Sequence, residues 1–254
     1  MLFETHDKLI KDLKDLKSNY SLIGVKAEFE AEGSSVLDIA RLKSISNKVE
    51  TKLKVKIGGV EAVNDIYNCV SLEVDGLIAP MVETEFGLLK FIESVEKLDL
   101  KKIPELSINI ETITGYKNID KIIKRALGKI SNITIGRSDF SKSYINNKIK
   151  QNSKEVTKAI INIANKLKKT NIKLTVGGGL DKQSIINFNK IKIWKYVNNL
   201  ETRKIILPSK NMLKKKAVEK CLDFEKHYII NKKEIFDLKI KSEIDRLSNL
   251  KVRK

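Results

Sequence analysis

Along this chain the spacing of apolar positions switches repeatedly between two residues and three to four. Leu106, Ile108 and Ile110 alternate with Ser107, Asn109 and Glu111, which predicts a β-strand. Gly115 and Asn118 predict a turn. Ile119, Ile122, Ile123 and Leu127 then recur at helical spacing, Gly128 stands where a helix stops, and Ile130 to Ile135 predicts a second strand. The same alternation runs through the rest of the chain. Strands are expected over 22–32, 53–57, 74–80, 172–176 and 196–207, and helices over 34–42, 60–70, 86–95, 156–167, 184–188 and 212–224. A short added strand is expected over 227–230. Strands separated by helices at intervals of roughly 25–35 residues define a parallel sheet. The expected fold is a TIM-type (β/α) barrel in a single domain over 1–254. Residues 1–20 form an N-terminal amphipathic helix, and 209–254 a helical, Lys-rich extension. An open doubly wound α/β sheet is the alternative.

In the segment LIGVKAEFEAE the alternation carries a further implication. Val25, Ala27, Phe29 and Ala31 alternate with Lys26, Glu28, Glu30 and Glu32. Helices cover the outside of a parallel barrel, so the polar set must point inward. Lys26 and Glu28 then lie inside the barrel, with Glu30 and Glu32 toward its mouth. Buried charges of this kind need partners, for which Lys56, Glu201 and Arg203 are candidates.

Chemistry concentrates at strand ends. Glu111 and Asp139 each follow a strand of one βαβ unit. A right-handed crossover brings the two ends to the same side of the sheet, where paired carboxylates suit a hard divalent cation such as Mg²⁺ or Mn²⁺. Arg137, beside Asp139, is a candidate anion contact. Gly58-Gly59 and Gly177-Gly178-Gly179 follow strands and can bring backbone close to an anionic ligand, or simply make tight turns. The polar segment 142–151, with Tyr144, Asn146 and Asn147, is expected to be a loop at the mouth.

The net charge of +18 changes this picture little. Nearly all the positive charge is Lys, spread along a chain also rich in Ile and Asn, which argues for compositional drift and against nucleic acid as a partner. The KVRK tail reads as a solvated end. No apolar run reaches the ~20 residues that span a bilayer, and the first twenty residues lack the apolar stretch of a signal peptide. Cys69 and Cys221 are too few for a disulfide framework. These features point to the cytoplasm, with no membrane partner. A homo-oligomer is left open.

The segments NIET (109–112) and ITIGRSDFS (133–141) together resemble the paired metal-binding segments of the HpcH/HpaI aldolase/citrate lyase family. FEAEGSSVLDIARLK, LKVKIGG and VDGLIAPMVET resemble further segments of that family, in its order. The resemblance implies a metal-dependent carbon–carbon lyase acting on a 2-oxo acid, enolpyruvate-like or acyl-thioester substrate. Glu111 and Asp139 would hold the metal. Lys56 stands where the family carries an Arg that binds the substrate's anionic end, and it lacks the bidentate fork of Arg. Ala31 replaces the family's general-base His, leaving Glu30 or Glu32 as bases, since neighbouring carboxylates raise each other's pKa. Met81 replaces a Lys, and Glu83 is expected to cap or orient the helix after it. The family's first strand precedes the acidic segment, where this chain has only a helix, so the barrel is expected to lack or alter that strand. These replacements also admit a barrel that has lost catalysis and serves as a binding subunit.

Overall fold

The computed structural model describes residues 2–145 and 148–252. Asn146 and Asn147 of the polar loop, and Arg253 and Lys254 of the basic tail, lie outside the described residues. Eight strands close into a barrel: β1 (Gly24–Glu28), β2 (Lys52–Lys56), β3 (Gly76–Ala79), β4 (Glu105–Ile110), β5 (Asn132–Gly136), β6 (Lys173–Gly177), β7 (Asn199–Glu201) and β8 (Ile205–Pro208). The helices are α1 (Leu2–Tyr20), α2 (Val36–Lys48), α3 (Val63–Ser71), α4 (Glu85–Glu96), α5 (Ile113–Lys117), α6 (Ile119–Ala126), α7 (Arg137–Lys142), α8 (Lys154–Leu167), α9 (Lys182–Lys190), α10 (Ser209–Met212) and α11 (Ala217–Val252). No described helix is long and apolar enough to cross a membrane.

β1 to β7 run parallel in chain order, whereas β8 is antiparallel to both β7 and β1. This corrects the reading of 196–207 as one strand. Thr202 N–H donates to the Ile205 carbonyl, and Ile205 N–H to Thr202 Oγ1, so the chain reverses at Thr202-Arg203-Lys204. The returning β8 fills the place left by the missing first strand and closes the sheet, which excludes the open doubly wound alternative. Two smaller expectations also change. Residues 227–230 belong to α11, and the turn at Gly115 to Asn118 is mostly the short helix α5, for which Thr112 is the N-cap.

The apolar core is the annulus between sheet and helices. Val25, Ala27, Leu53, Val55, Ile108, Ile110, Ile133 and Ile135 face outward into it and meet helix residues such as Ile39, Phe91, Ile122 and Ile160. Leu9, Leu13 and Leu16 of α1 are fully buried in the same core, and α1 packs along α11 and α2.

Inside, the barrel is polar, where branched apolar side chains usually fill a fold of this kind. Lys26, Glu28, Lys54, Lys56, Ser107, Asn109, Asn132, Thr134, Thr175, Asn199 and Glu201 are all buried. Lys26 pairs with Glu201 at 2.5 Å, Lys56 with Glu28 at 3.4 Å, and Lys54 with Glu105 at 2.8 Å. Burial opposes the Lys26 charge, but Glu201 and Glu28 outweigh it and hold the ammonium above its ordinary pKa. Burial likewise opposes the Glu28 carboxylate, and Lys26 and Lys56 hold it below its usual range. Between the ion pairs runs a neutral chain. Asn199 Nδ2 donates to Thr175 Oγ1 (3.2 Å), Thr175 Oγ1 to Asn132 Oδ1 (2.7 Å), and Asn132 Nδ2 to Thr134 Oγ1 (3.0 Å).

Glycines on adjoining strands make room for these long side chains. A Cβ on Gly76 would lie 3.1 Å from Lys54, one on Gly136 2.7 Å from Glu111, and one on Gly177 2.8 Å from Glu201. Interior packing here is charged side chain against bare backbone.

Acid stability follows from the lower ion pair. Although burial pushes the Glu105 carboxyl up, hydrogen bonds from Lys54, Ser131 and Lys52 bring it down from 4.5 to about 2. Its stabilisation is complete above pH 4.5 and is lost as pH falls toward about 2. With its partial exposure discounted, the contribution is about 2 kcal/mol. Glu105→Gln should lower the urea midpoint at pH 7 by a corresponding amount and flatten the loss of stability between pH 5 and pH 2.

Candidate active site

Seven parallel strands put their C-terminal ends on one rim, the end at which such barrels place their sites. A pocket of about 150 Å³ opens there, lined by Ala31, Lys56, Glu111 and Asp139, with Arg203, Gly178 and Gly179 among its other walls. Residues from strand ends that are distant in sequence therefore meet in one place.

Glu111 follows β4 directly and is 5 % exposed. Its Oε2 accepts the Met81 N–H at 3.2 Å, and its Oε1 accepts Asn109 Nδ2 at 3.3 Å. Met81 has φ 48°, a left-handed conformation that costs a non-glycine residue about 1 kcal/mol; this conformation presents its N–H to the carboxylate. Burial, offset in part by Lys56 and reinforced by Asp139, raises the Glu111 carboxyl above its ordinary pKa. Asp139 lies in the first turn of α7, half-exposed, in a loose contact with Lys142 at 3.5 Å. Glu83 accepts from Thr112 Oγ1 at 2.6 Å. It thus positions the segment after Glu111, while Thr84 caps α4.

Lys56 ends β2, nearly buried, between Glu28 at 3.4 Å and Glu30 at 3.7 Å. Glu30 sits at the rim beside it, half-exposed. Glu32 is held elsewhere, in an ion pair with buried Lys204, whose ammonium also stacks 4.2 Å from the Tyr228 ring centre. Of the two carboxylates expected near the base position, Glu30 adjoins Lys56 and Glu32 does not.

Four expected anion contacts, Gly58, Gly59, Gly177 and Arg137, are placed away from the pocket. Gly58 N–H donates to Asp65 Oδ2 at 2.7 Å, fixing the entry to α3, and neither Gly58 nor Gly59 lines the pocket. Gly177 yields its space to Glu201. Arg137 is fully buried. Its Nε donates to the Gly177 carbonyl at 3.0 Å, Nη2 to the Gly178 carbonyl at 2.9 Å and Nη1 to Asn152 Oδ1 at 2.8 Å, above the Phe188 ring. The guanidinium is spent on holding the glycine turn, so the expected anion contact is corrected to a structural clamp. Gly178, at φ 82°, rests against the Arg137 and Ser138 amides, where a Cβ would come within 2.6 Å.

Arg203 is among the wall residues that sequence reasoning did not single out as a site. It projects from the β7–β8 turn, half-exposed, in a loose contact with Glu225 at 4.0 Å. Its place in the wall follows from the chain reversal, which the strand period running through Asn199, Glu201 and Arg203 does not reveal.

The chain is thus a (β/α) barrel with two carboxylates and a lysine at its C-terminal mouth. The family model described as HpcH/HpaI aldolase/citrate lyase matches residues 34–179, and the chain belongs to that family. An HpcH/HpaI aldolase/citrate lyase family protein from Burkholderia cenocepacia superposes with a TM-score of 0.61 at 12% identity, covering 77% of this chain and 82% of that one. The citrate synthase SbnG superposes at 0.59 with 14% identity over 77% and 81%, and RipC from Yersinia pestis at 0.53 with 12% identity over 80% and 87%. At these identities the superpositions speak for the fold. No curated protein matches the chain by sequence.

The Arg137 clamp generates a stability prediction. Arg137→Met strips two buried carbonyls of their donors and should destabilise the fold by about 3 kcal/mol. Arg137→Lys should recover only part of this, since an ammonium lacks the planar fork. Urea unfolding of both variants measures it.

Proposed function

We propose that this protein is a divalent-metal-dependent carbon–carbon lyase acting on a small 2-oxo acid. The observation that carries the reading is the meeting of Glu111, Asp139 and Lys56 around one small pocket. A cavity near 150 Å³ elsewhere holds a benzene-sized molecule, which suits a short oxo acid. The acyl end of a thioester would fit and its carrier would stay outside.

The donor set fits a hard cation. Glu111 and Asp139 supply anionic oxygens, and Asn109 Oδ1, buried beside Glu111, has no partner among the described residues. No group of three or more His, Cys, Asp or Glu suited to a metal occurs among the described residues. Two carboxylates alone match Mg²⁺ or Mn²⁺, which keeps waters and accepts substrate oxygens. When bound, the ion would polarise the 2-oxo carbonyl and offset the negative charge developed on C–C cleavage. Lys56 holds the substrate's anionic end, its own charge balanced by Glu28 and Glu30. Glu30 takes the proton of the hydroxyl whose carbon becomes the new carbonyl. The bonding pair of the broken C–C bond remains with the oxo-acid fragment, whose carbon then takes the proton back from Glu30, directly or through water, restoring the carboxylate.

Glu111→Gln should weaken Mn²⁺ binding at least tenfold and abolish pyruvate release from a 4-hydroxy-2-oxo acid. Unchanged Mn²⁺ affinity would reject the site.

Ala31 in the pocket wall favours a second reading, a binding subunit. A positioned base contributes roughly 10²–10⁴-fold in rate, so turnover of ordinary 4-hydroxy-2-oxo acids should be slow. Ala31→His with Lys56→Arg should raise it, measured as pyruvate release with Mn²⁺. No gain in a folded, Mn²⁺-binding variant would favour the binding subunit.

A further inference from the structure

Lys26, Lys56 and Arg203 bring positive charge to the pocket wall. The two lysines have carboxylate partners already. Glu201 holds Lys26 at 2.5 Å, and Lys56 lies between Glu28 at 3.4 Å and Glu30 at 3.7 Å. Arg203 differs in exposure and in pairing. Its side chain is 52 % exposed, and its Nε lies 4.0 Å from Glu225 Oε1, too far for a hydrogen bond. The backbone beneath it is fixed. Thr202 and Lys204 on either side are buried, two hydrogen bonds between Thr202 and Ile205 close the turn, and the Lys204 carbonyl accepts the Lys26 N–H at 2.8 Å. The hairpin therefore presents a guanidinium at the rim from a rigid base. Its place there mirrors that of Lys56. The eight strands follow chain order around the barrel. Lys56 ends β2, two strands before β4, which Glu111 follows. Arg203 follows β7, two strands after β5, which leads into Asp139. The carboxylate pair thus has a cation on each side.

We infer that Arg203 is a specificity-determining residue that binds a second carboxylate at the far end of the substrate, so that this site prefers a 2-oxo diacid to a monoacid. The inference rests on the proposed site at Glu111, Asp139 and Lys56. A substrate held at the carboxylate pair with its oxo-acid end at Lys56 directs its other end toward Arg203. A guanidinium meets a carboxylate through two parallel N–H···O bonds, a geometry that an ammonium lacks. Exposure suits this role. A fully buried guanidinium needs permanent partners, as Arg137 has in the Gly177 and Gly178 carbonyls, whereas one at the rim can exchange water for a ligand.

The test is calorimetric titration of the full chain, with Mn²⁺ present, by 2-oxoglutarate and 2-oxopentanoate. These acids have the same chain length and differ by a carboxylate in place of a methyl group. The diacid should bind about tenfold more tightly. Arg203→Gln should weaken 2-oxoglutarate about tenfold and leave 2-oxopentanoate within about threefold. Arg203→Lys should keep part of the preference. Glu225→Gln should keep all of it, whereas a merely structural tie between Arg203 and Glu225 would be lost equally in both glutamine variants and would affect both acids alike. Equal affinity for the two acids, or a preference that survives Arg203→Gln, would overturn this inference and leave the proposed site standing. Binding of neither acid, or binding of both that is indifferent to Glu111→Gln, would overturn the site and this inference with it.

Discussion

The buried contact between Lys26 and Glu201, strand β1 to strand β7 across the barrel, is the constraint on which the rest of this structure depends. A desolvated ammonium and carboxylate are stable only as partners, and removing one strands the other at a cost of roughly 3–5 kcal/mol. The pair spans the place where β8 is inserted, so it ties the two parallel edges that the antiparallel strand bridges. Its geometry reaches outward in both directions. Glu201 needs the bare backbone of Gly177, whose carbonyl is held by Arg137. Lys26 shares Glu28 with Lys56, and Lys56 faces Glu111 across the pocket.

A charged interior costs solvation that an apolar one does not, and the return is a mouth whose charges are already oriented. Lys56 is held between two carboxylates, Glu111 between two N–H donors, and Gly136 leaves room for the Glu111 side chain. Preorganised charges of this kind need no rearrangement when a substrate's charge develops. The closed barrel is the fold expected of the family to which the chain belongs.

Much of the barrel was legible because the two-residue and helical periods alternate cleanly. The inward turn of Lys26 and Glu28 was legible for a simpler reason: an apolar outer face forces the polar positions inward. The closure was not legible. Residues 196–207 hold a strand period on both sides of Thr202, so nothing local separates a single long strand from a hairpin, and Arg203 was lost with that distinction. Arg137 was misread because its charge suggests a ligand, whereas its neighbours in space, the Gly177 and Gly178 carbonyls, lie forty residues on. The glycine run was visible, but not its cause, which is the close approach of Glu201 and of the α7 amides.

The most direct measurement of the central claim is a crystal structure grown with Mn²⁺ and oxalate, with the ion located by anomalous scattering. The account predicts one ion shared by Glu111 and Asp139, with oxalate reaching toward Lys56 inside the pocket. An ion bound elsewhere, or oxalate bound without either carboxylate, would contradict it.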